Sequence, residues 1–295
     1  MKFVDVRNDV AFKKIFGNEN KKGILISFLN SVLDLSGDRA IDDITILNPY
    51  QTPELPNSKE SILDIRARDK RGVIFIVEIQ IQKKAGFQKR VLYYTSKAYI
   101  VQLDKGNDYP KLNQVIFIGI VDFNAFDGSD YLTRHRILNT ATLKQELKDL
   151  ELNFIELPKF TKNDAEIESV VDKWIYFIKN AGSMQIMPAS ANFDEIREAY
   201  EIAAEMRWDK KELEVYEYWQ MRSNDEKWAF VEGKNEGKLE GLLEGIEMVL
   251  EVKYGDEGTA LMGRVRGLGT VEALERFKEL VKASTSVEEL KGVGA

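Results

Sequence analysis

Apolar residues recur with helical spacing in three stretches of the first 160 residues and with strand spacing in five others. The helical stretches are residues 8–18, 21–35 and 85–106, and the strand-like ones are residues 44–51, 63–82, 114–123, 131–140 and 152–160. From Asn163 onward almost every segment has a helical period and no convincing strand follows. This order predicts a mixed α/β domain over residues 1–160 and an all-α region over residues 161–295.

The second region contains EGKNEGKLEGLLEG, which places Gly233, Gly237, Gly241 and Gly245 one helical turn apart. Four glycines cost a helix about 4 kcal/mol relative to alanine. Either the glycine stripe lets another helix approach closely, or the segment is a partly frayed connector; the pattern allows both.

The amino-acid composition limits the kinds of catalytic and metal site that the chain can form. The chain has 295 residues, enough for two domains with real cores, but no cysteine and one histidine. Disulfides, thiolate nucleophiles and Cys/His zinc sites are excluded, so the remaining chemistry belongs to carboxylates, which favour hard divalent cations. His135 lies between two arginines on a predicted strand, so we expect it at the surface.

Charge and hydropathy bear on partners and location. Residues 1–160 hold 24 Lys and Arg against 21 Asp and Glu, and the remainder holds 18 against 28. The acidic second region is thus a poor nucleic-acid surface, whereas the first tolerates an anion. No apolar run reaches the roughly 18 residues of a membrane span, and MKFVDVRNDVAFKK lacks the apolar core of a secretory signal. We expect a cytoplasmic protein without membrane contact.

The stretch LDIRARDKRGVIFIVEIQIQ, residues 63–82, reads as a hairpin that carries carboxylates in an otherwise apolar sheet. A three-residue loop with Gly72 in the left-handed conformation pairs Asp64 with Glu78, so that the two acids face each other. A two-residue loop would pair Asp64 with Val77 and separate them. Residues 73, 75, 77, 79 and 81 form an apolar opposite face, so we expect the acids on a central strand.

Like charges that face each other destabilise a sheet, so the pair requires an explanation. Two explanations are open. In the first, which is structural, the acids share a proton or are solvated at a sheet edge. In the second, which is functional, the acids hold a divalent cation. In the second case the ligands are Asp64, Glu78 and a backbone carbonyl such as that of Ile79.

Asp64, thirteen further residues and then E-I-Q resemble the PD-(D/E)XK nuclease motif, with glutamine at the usual lysine position. The segments NDVAFKKIF, SILDIRARDKRGVIFIVEIQ, KRVLYYTSKAY and FIELPKF, in this order, resemble the Rpn family of recombination-promoting nucleases, also described as PD-(D/E)XK transposases. The resemblance covers roughly residues 1–160. It implies a restriction-endonuclease-like α/β core whose mixed central sheet, flanked by helices, carries the acids.

The resemblance also implies DNA phosphodiester cleavage with Mg²⁺, for which Mn²⁺ is a substitute. Asp64 and Glu78 would bind the metal, and Gln80 would take the place of the lysine that orients the attacking water. An amide cannot act as a general base or carry positive charge. Asp9 matches an acid that this fold often brings from its first helix; its alternative role is a favourable charge at a helix N-terminus.

The helix after the hairpin is the predicted DNA side. Residues 81–100 contain no acid, and their basic residues suit a phosphate backbone without sequence reading: Lys83, Lys84, Lys89, Arg90 and Lys97. The alternative is an ordinary helix with a solvated basic face, in which Tyr93 or Tyr94 joins the core. Lys59 and Arg66 lie near the carboxylates along the chain and could offset their charge.

Two functions follow from these features. The first is a Mg²⁺-dependent DNA endonuclease that acts in recombination or on mobile or foreign DNA. The alternative is a catalytically inactive module that keeps the fold and binds nucleic acid or a protein partner. In addition, the acidic helical region could pair with itself in a homo-oligomer or cover the basic helix.

Overall fold

The fold is known from a computed structural model that describes residues 2–51, 61–103 and 108–292. Lys59, one of the two residues expected to offset the carboxylate charge, lies outside the described residues. None of the described helices is both long enough and apolar enough to cross a membrane.

Helices and strands follow one another in the first part of the chain in the order that the periodicity predicts. The elements are α1 (Asp9–Phe16), α2 (Lys22–Leu33), β1 (Ile44–Ile46), β2 (Tyr50–Gln51), β3 (Ser61–Ile62), β4 (Ile65–Asp69), β5 (Ile74–Gln80), α3 (Phe87–Ile100), β6 (Val115–Val121), β7 (Leu132–Arg136) and β8 (Leu150–Glu156). The later helices are α4 (Val170–Asn180), α5 (Asp194–Ala203), α6 (Lys210–Thr259), α7 (Met262–Arg266) and α8 (Val271–Ala283).

Six strands of the described chain form one mixed sheet in the order β1-β4-β5-β6-β8-β7. The strands β1, β4 and β5 pair antiparallel, whereas β5, β6 and β8 run parallel. The predicted mixed central sheet flanked by helices is confirmed. β5 and β6 are the two middle strands of the six, so the strand that carries Glu78 lies at the centre of the sheet.

Both faces of this sheet are covered by apolar side chains. One face, with Phe75 and Val77 of β5, packs against α1, α2, α4 and α5. The other face, with Ile74 and Ile76, packs against Phe87 and Val91 of α3. The sequence predicted a buried face only for the odd-numbered residues of β5. The even-numbered face is buried too, up to the point where Glu78 begins the polar end of the strand.

The chain divides into two compact units, residues 1–220 and 221–295, and the division falls within α6. The predicted boundary lies at residue 160, before α4 and α5. These two helices belong to the first unit because Trp174, Phe177 and Tyr200 pack into the same core as Phe16 of α1. A nuclease-like domain that ends at residue 160 remains a prediction about function and does not coincide with a compact unit.

The second unit has its own apolar core, which includes Ile246, Leu250, Met262 and Phe277. The glycine stripe lies in α6, so these residues are helical here. A Cβ added at Gly233, Gly237, Gly241 or Gly245 would have no atom of the described chain within 4 Å apart from its sequence neighbours and the helix's own backbone. The described chain itself therefore makes no close packing on the stripe. A kink follows at Gly255, where φ is +60°.

Candidate active site

The hairpin of β4 and β5 has the register that brings the two acids together. Arg68 pairs with Ile74 and Arg66 with Ile76, and Gly72 in the connection has a φ of +88°. The ladder ends at the pair Ile65 and Val77. Asp64 and Glu78 follow as the next pair in register, at the open end of the hairpin.

The two acids are interlocked by hydrogen bonds to main-chain groups. The N–H of Asp64 donates to Oε1 of Glu78 at 3.2 Å, and the N–H of Ile79 donates to Oδ2 of Asp64 at 2.9 Å. Each carboxylate thus accepts a bond from the opposite segment where the strand ladder stops. The side chain of Asp64 is only 10% exposed, so the pair is held in a fixed, largely dry position.

This position changes the titration of Glu78. Burial, and after it the neighbouring Asp64 carboxylate, raise the pKa of Glu78 well above its ordinary value. The N–H of Asp64 and the charges of Arg90 and Lys13 act in the opposite direction. A pair of acids in which one resists ionisation is a site that gains from a bound cation.

The donor set fits a hard divalent cation. No cluster of three or more His, Cys, Asp and Glu side chains that could hold a metal occurs in the described residues, so the protein would offer two carboxylates. The N–H of Ile79 points towards Asp64, and its carbonyl lies on the same side of the strand. Mg²⁺ is commonly held by one or two carboxylates together with water and phosphate oxygens, which this arrangement permits.

Lys13 is the cation next to Asp64. Its Nζ lies 3.1 Å from Oδ1 of Asp64, so α1 reaches the acid pair from one face of the sheet. Lys13 was not among the residues predicted from the sequence, although it lies within NDVAFKKIF. The sequence alone does not single out Lys13, because the packing of α1 against the sheet decides which of the two adjacent lysines lies at the hairpin. Its neighbour Lys14 pairs with Glu212 instead.

Arg90 and Gln80 meet on the other face of the sheet. The Nη2 of Arg90 donates to Oε1 of Gln80, and Nε2 of Gln80 donates to the carbonyl of Gln82 at 2.6 Å. Both polar atoms of Gln80 therefore have protein partners. A direct bond between Gln80 and an attacking water would require one of these bonds to open or be shared.

Tyr94 lies one turn beyond Arg90 and is the half-buried member of the tyrosine pair, whereas Tyr93 is 43% exposed. Burial raises the pKa of Tyr94, Arg90 lowers it, and Glu78 and Asp64 raise it. Tyr94 packs against the apolar core on this face of the sheet, a position that its i, i+4 spacing from Arg90 could have indicated.

The structure places the five residues predicted to contact DNA in three different environments. Lys83, Lys84 and Lys89 are exposed, and Nζ of Lys83 donates to the carbonyl of Asn124 at 3.3 Å. Arg90 belongs to the acid site. Lys97 is buried in the last turn of α3, where a positive charge suits the helix dipole, so the structure does not present it to a backbone.

The remaining candidates lie outside this cluster or at its border. Asp9 is exposed in the first turn of α1, and the side chain of Asn8 caps that helix. Asp9 lies one turn before Lys13, and its catalytic role remains a prediction. His135 is half-buried on the edge strand β7, where its ring packs against Phe126. Its position two strands beyond β6 places it away from the acids.

Arg66 does not neutralise the acids in the way the sequence suggested. Its Nε is buried and has no hydrogen-bond partner among the residues that the structure describes. Burial and the neighbouring Arg68 lower its pKa. The positive charges that act on Glu78 come from Arg90 and Lys13 instead.

Comparison with protein families identifies a match over most of the chain. The family model of the PD-(D/E)XK nuclease family transposase matches residues 6–232. This match contains the acid pair, α1, α3 and the whole six-stranded sheet. Searches of curated proteins and of solved structures find no match.

Proposed function

The chain belongs to the PD-(D/E)XK nuclease family of transposases, and we propose on this basis that it is a divalent-metal-dependent DNA endonuclease. Its mixed six-stranded sheet, flanking helices and helical C-terminal region are consistent with the nuclease fold of that family. The observation that carries the proposal is the interlocked pair of Asp64 and Glu78. Two carboxylates held opposite each other disfavour each other's ionisation and lower the stability of the metal-free chain, and a bound divalent cation would offset this loss.

Asp64, Glu78 and the carbonyl of Ile79 would hold Mg²⁺, with Mn²⁺ as a substitute. The ion would polarise the phosphate and lower the pKa of a coordinated water. The chain's own groups fix the two carboxylates and keep bulk water from one side of them. Hydrolysis adds water across one P–O ester bond and leaves one phosphate end and one hydroxyl end.

The cations around the pair suit a polyanion. Lys13 and Arg90 approach the acids from opposite faces of the sheet, and Lys83, Lys84 and Lys89 add exposed positive charge in the segment from the end of β5 to the start of α3. Such contacts hold a phosphate backbone without reading bases. We therefore propose DNA without strong sequence preference as the substrate, with a role in recombination or on mobile or foreign DNA.

The experiment is cleavage of supercoiled plasmid by the purified full-length chain with Mg²⁺, with Mn²⁺ and with EDTA. Asp64→Asn and Glu78→Gln should each lower the rate by about 10²-fold or more, because each removes a charge that holds the ion. Asp42→Asn is the matched control. Asp42 is an exposed acid that pairs with Lys70 at the turn end of the same hairpin, so its loss should leave cleavage unchanged.

The second candidate is a module that keeps the fold and binds DNA or a protein partner without turnover. Glutamine at position 80, where the motif usually has lysine, favours it. Failure of the wild type to cut with either metal, combined with binding of duplex DNA in Ca²⁺, would support this candidate. Cleavage lost in both acid variants and kept in the control would exclude it.

A further inference from the structure

The side chain of Gln80 is held at both ends. Its amide nitrogen donates to the carbonyl of Gln82, and its amide oxygen accepts from the guanidinium of Arg90. Gln80 lies on the central strand β5, two residues after Glu78 and on the same face. The glutamine is therefore oriented towards α3, and its oxygen serves a protein cation.

The position of Arg90 on α3 allows Gln80 to orient its guanidinium. It lies in the first part of α3, where its N–H bonds to the carbonyl of Gly86 at 2.9 Å, and its side chain is half-buried. Its bond to Gln80, which lies two residues from Glu78 on the same face of β5, places the guanidinium beside the acid pair. The bond to Gln80 occupies one of the five N–H donors of the guanidinium.

We propose that Arg90 is a catalytic residue that binds the scissile phosphate, and that Gln80 is the positioning residue that aims its guanidinium. The assignment rests on the proposed nuclease function and deepens it. A guanidinium stays charged under all working conditions and binds two phosphate oxygens at once. The positive charge that an amide lacks thus comes from α3, and Gln80 contributes the acceptor that fixes its direction.

A lysine introduced at position 80 separates the two possible roles of the glutamine. If Gln80 acted directly, in the place of the usual lysine, Gln80→Lys should keep or raise activity. If Gln80 holds Arg90, the new ammonium repels the guanidinium and removes its acceptor. Activity then falls, and Arg90→Gln should restore part of it, because the introduced lysine now provides the charge and the amide at position 90 provides the acceptor.

The test is a double-mutant cycle of Gln80→Lys and Arg90→Gln in the full-length chain. Two quantities are measured for each variant. They are the single-turnover rate on a labelled duplex with Mn²⁺ and the Kd for that duplex with Ca²⁺. Lys144→Gln, which removes an exposed charge outside the site, is the control. Far-UV circular dichroism and thermal midpoints check that each variant folds.

Each single variant should lower the rate by about 10²- to 10³-fold, the range seen when one charge-stabilising donor is lost. The double variant should be at least tenfold faster than either single variant. The control should match the wild type. If Gln80→Lys does not fold, Gln80→Met replaces it, and its loss should not add to that of Arg90→Gln.

Two results would overturn the assignment: Gln80→Lys as active as the wild type, or a double variant whose loss is the product of the single losses. Failure of the wild type to cut with any metal would be a failure of the nuclease proposal instead. The cycle is then read from the Kd values. Coupling between positions 80 and 90 supports a phosphate-binding Arg90 held by Gln80, and independent effects contradict it.

Discussion

At the scale of single residues, the folded chain holds two carboxylates together, and this arrangement disfavours the ionised form of one of them. Glu78 binds a proton more tightly in the folded chain than in the unfolded chain, since burial and Asp64 raise its pKa. The stability of the metal-free protein must therefore fall as the pH rises from the ordinary carboxyl range through the raised pKa.

The first prediction concerns this cost. Glu78→Gln keeps an oxygen that can accept from the N–H of Asp64 but removes the charge, so it should stabilise the metal-free protein by about 1 kcal/mol at neutral pH. The gain should vanish below the ordinary glutamate pKa, where both proteins are uncharged at this position. Thermal unfolding in EDTA between pH 4 and 8 measures it. A variant less stable than the wild type at pH 7 would contradict this account.

The second prediction concerns Lys13, whose ammonium lies 3.1 Å from Oδ1 of Asp64, one of the two carboxylates proposed to hold the metal. Lys13→Gln should raise the affinity for Mn²⁺ by about two- to fivefold, because a half-exposed ion pair of roughly 1 kcal/mol no longer competes. Calorimetric titration of the metal gives the Kd. Lys13→Arg, which keeps the charge, is the control, and equal affinity of the wild type and Lys13→Gln would count against competition.

These residues also show where sequence reasoning stops. The opposition of Asp64 and Glu78 followed from alternation and loop length, which are local properties of residues 63–82. The contact of Lys13 with Asp64 depends on how α1 packs across the sheet. The bond of Arg90 to Gln80 depends on side-chain directions on two elements, which a linear pattern does not specify.

At the scale of elements, the connection of the hairpin sets the distance between the acids. Gly72 has a φ of +88°, and a Cβ at this position would lie 2.6 Å from Oδ1 of Asn113. A side chain at position 72 therefore meets both backbone strain and a neighbour. Because one residue of register shift would turn Asp64 and Glu78 to opposite faces, this turn has a direct effect on the site.

The third prediction follows from this geometry. Gly72→Ala should destabilise the chain by about 1–3 kcal/mol and lower cleavage more than its effect on folding explains. Gly128→Ala is the matched control, since Gly128 has a φ of +91° but no atom of the described chain within 4 Å of an added Cβ. Urea unfolding supplies the free energies. Equal losses in both variants would show that the contact with Asn113 has no effect.

The helices and strands themselves were largely predictable. α1, with its cap at Asn8 and its end at Gly17, lies within the predicted helix of residues 8–18, and α3 lies within the predicted helix of residues 85–106. The burial of both faces of β5 was missed, because the polar residues Glu78 and Gln80 disguise an apolar even-numbered face. Functional residues at the end of a buried strand weaken its apolar pattern.

At the scale of the whole molecule, the acidic excess of residues 161–295 does not coincide with one compact unit. Residues 161–220 hold 7 Lys and Arg against 13 Asp and Glu, yet they belong to the first compact unit. Part of this excess pairs with the basic N-terminal segment, as Glu205 does with Lys2 at 2.7 Å and Glu198 does with Lys21. Charge asymmetry along the chain here reflects packing as well as partners.

The last prediction separates the compact units from the predicted domains. A chain of residues 1–220 should fold cooperatively and cut plasmid with metal, because it retains the sheet, both faces of its core and the acid site. A chain of residues 1–160 should aggregate, since it loses Trp174 and Phe177 from contact with Phe16. Light scattering and cleavage assays compare both with the full chain. If the full chain is a homo-oligomer and residues 1–220 are monomeric, the association belongs to residues 221–295, whose glycine stripe is open to a second helix. A stable, active fragment of residues 1–160 would instead restore the boundary that the sequence predicts.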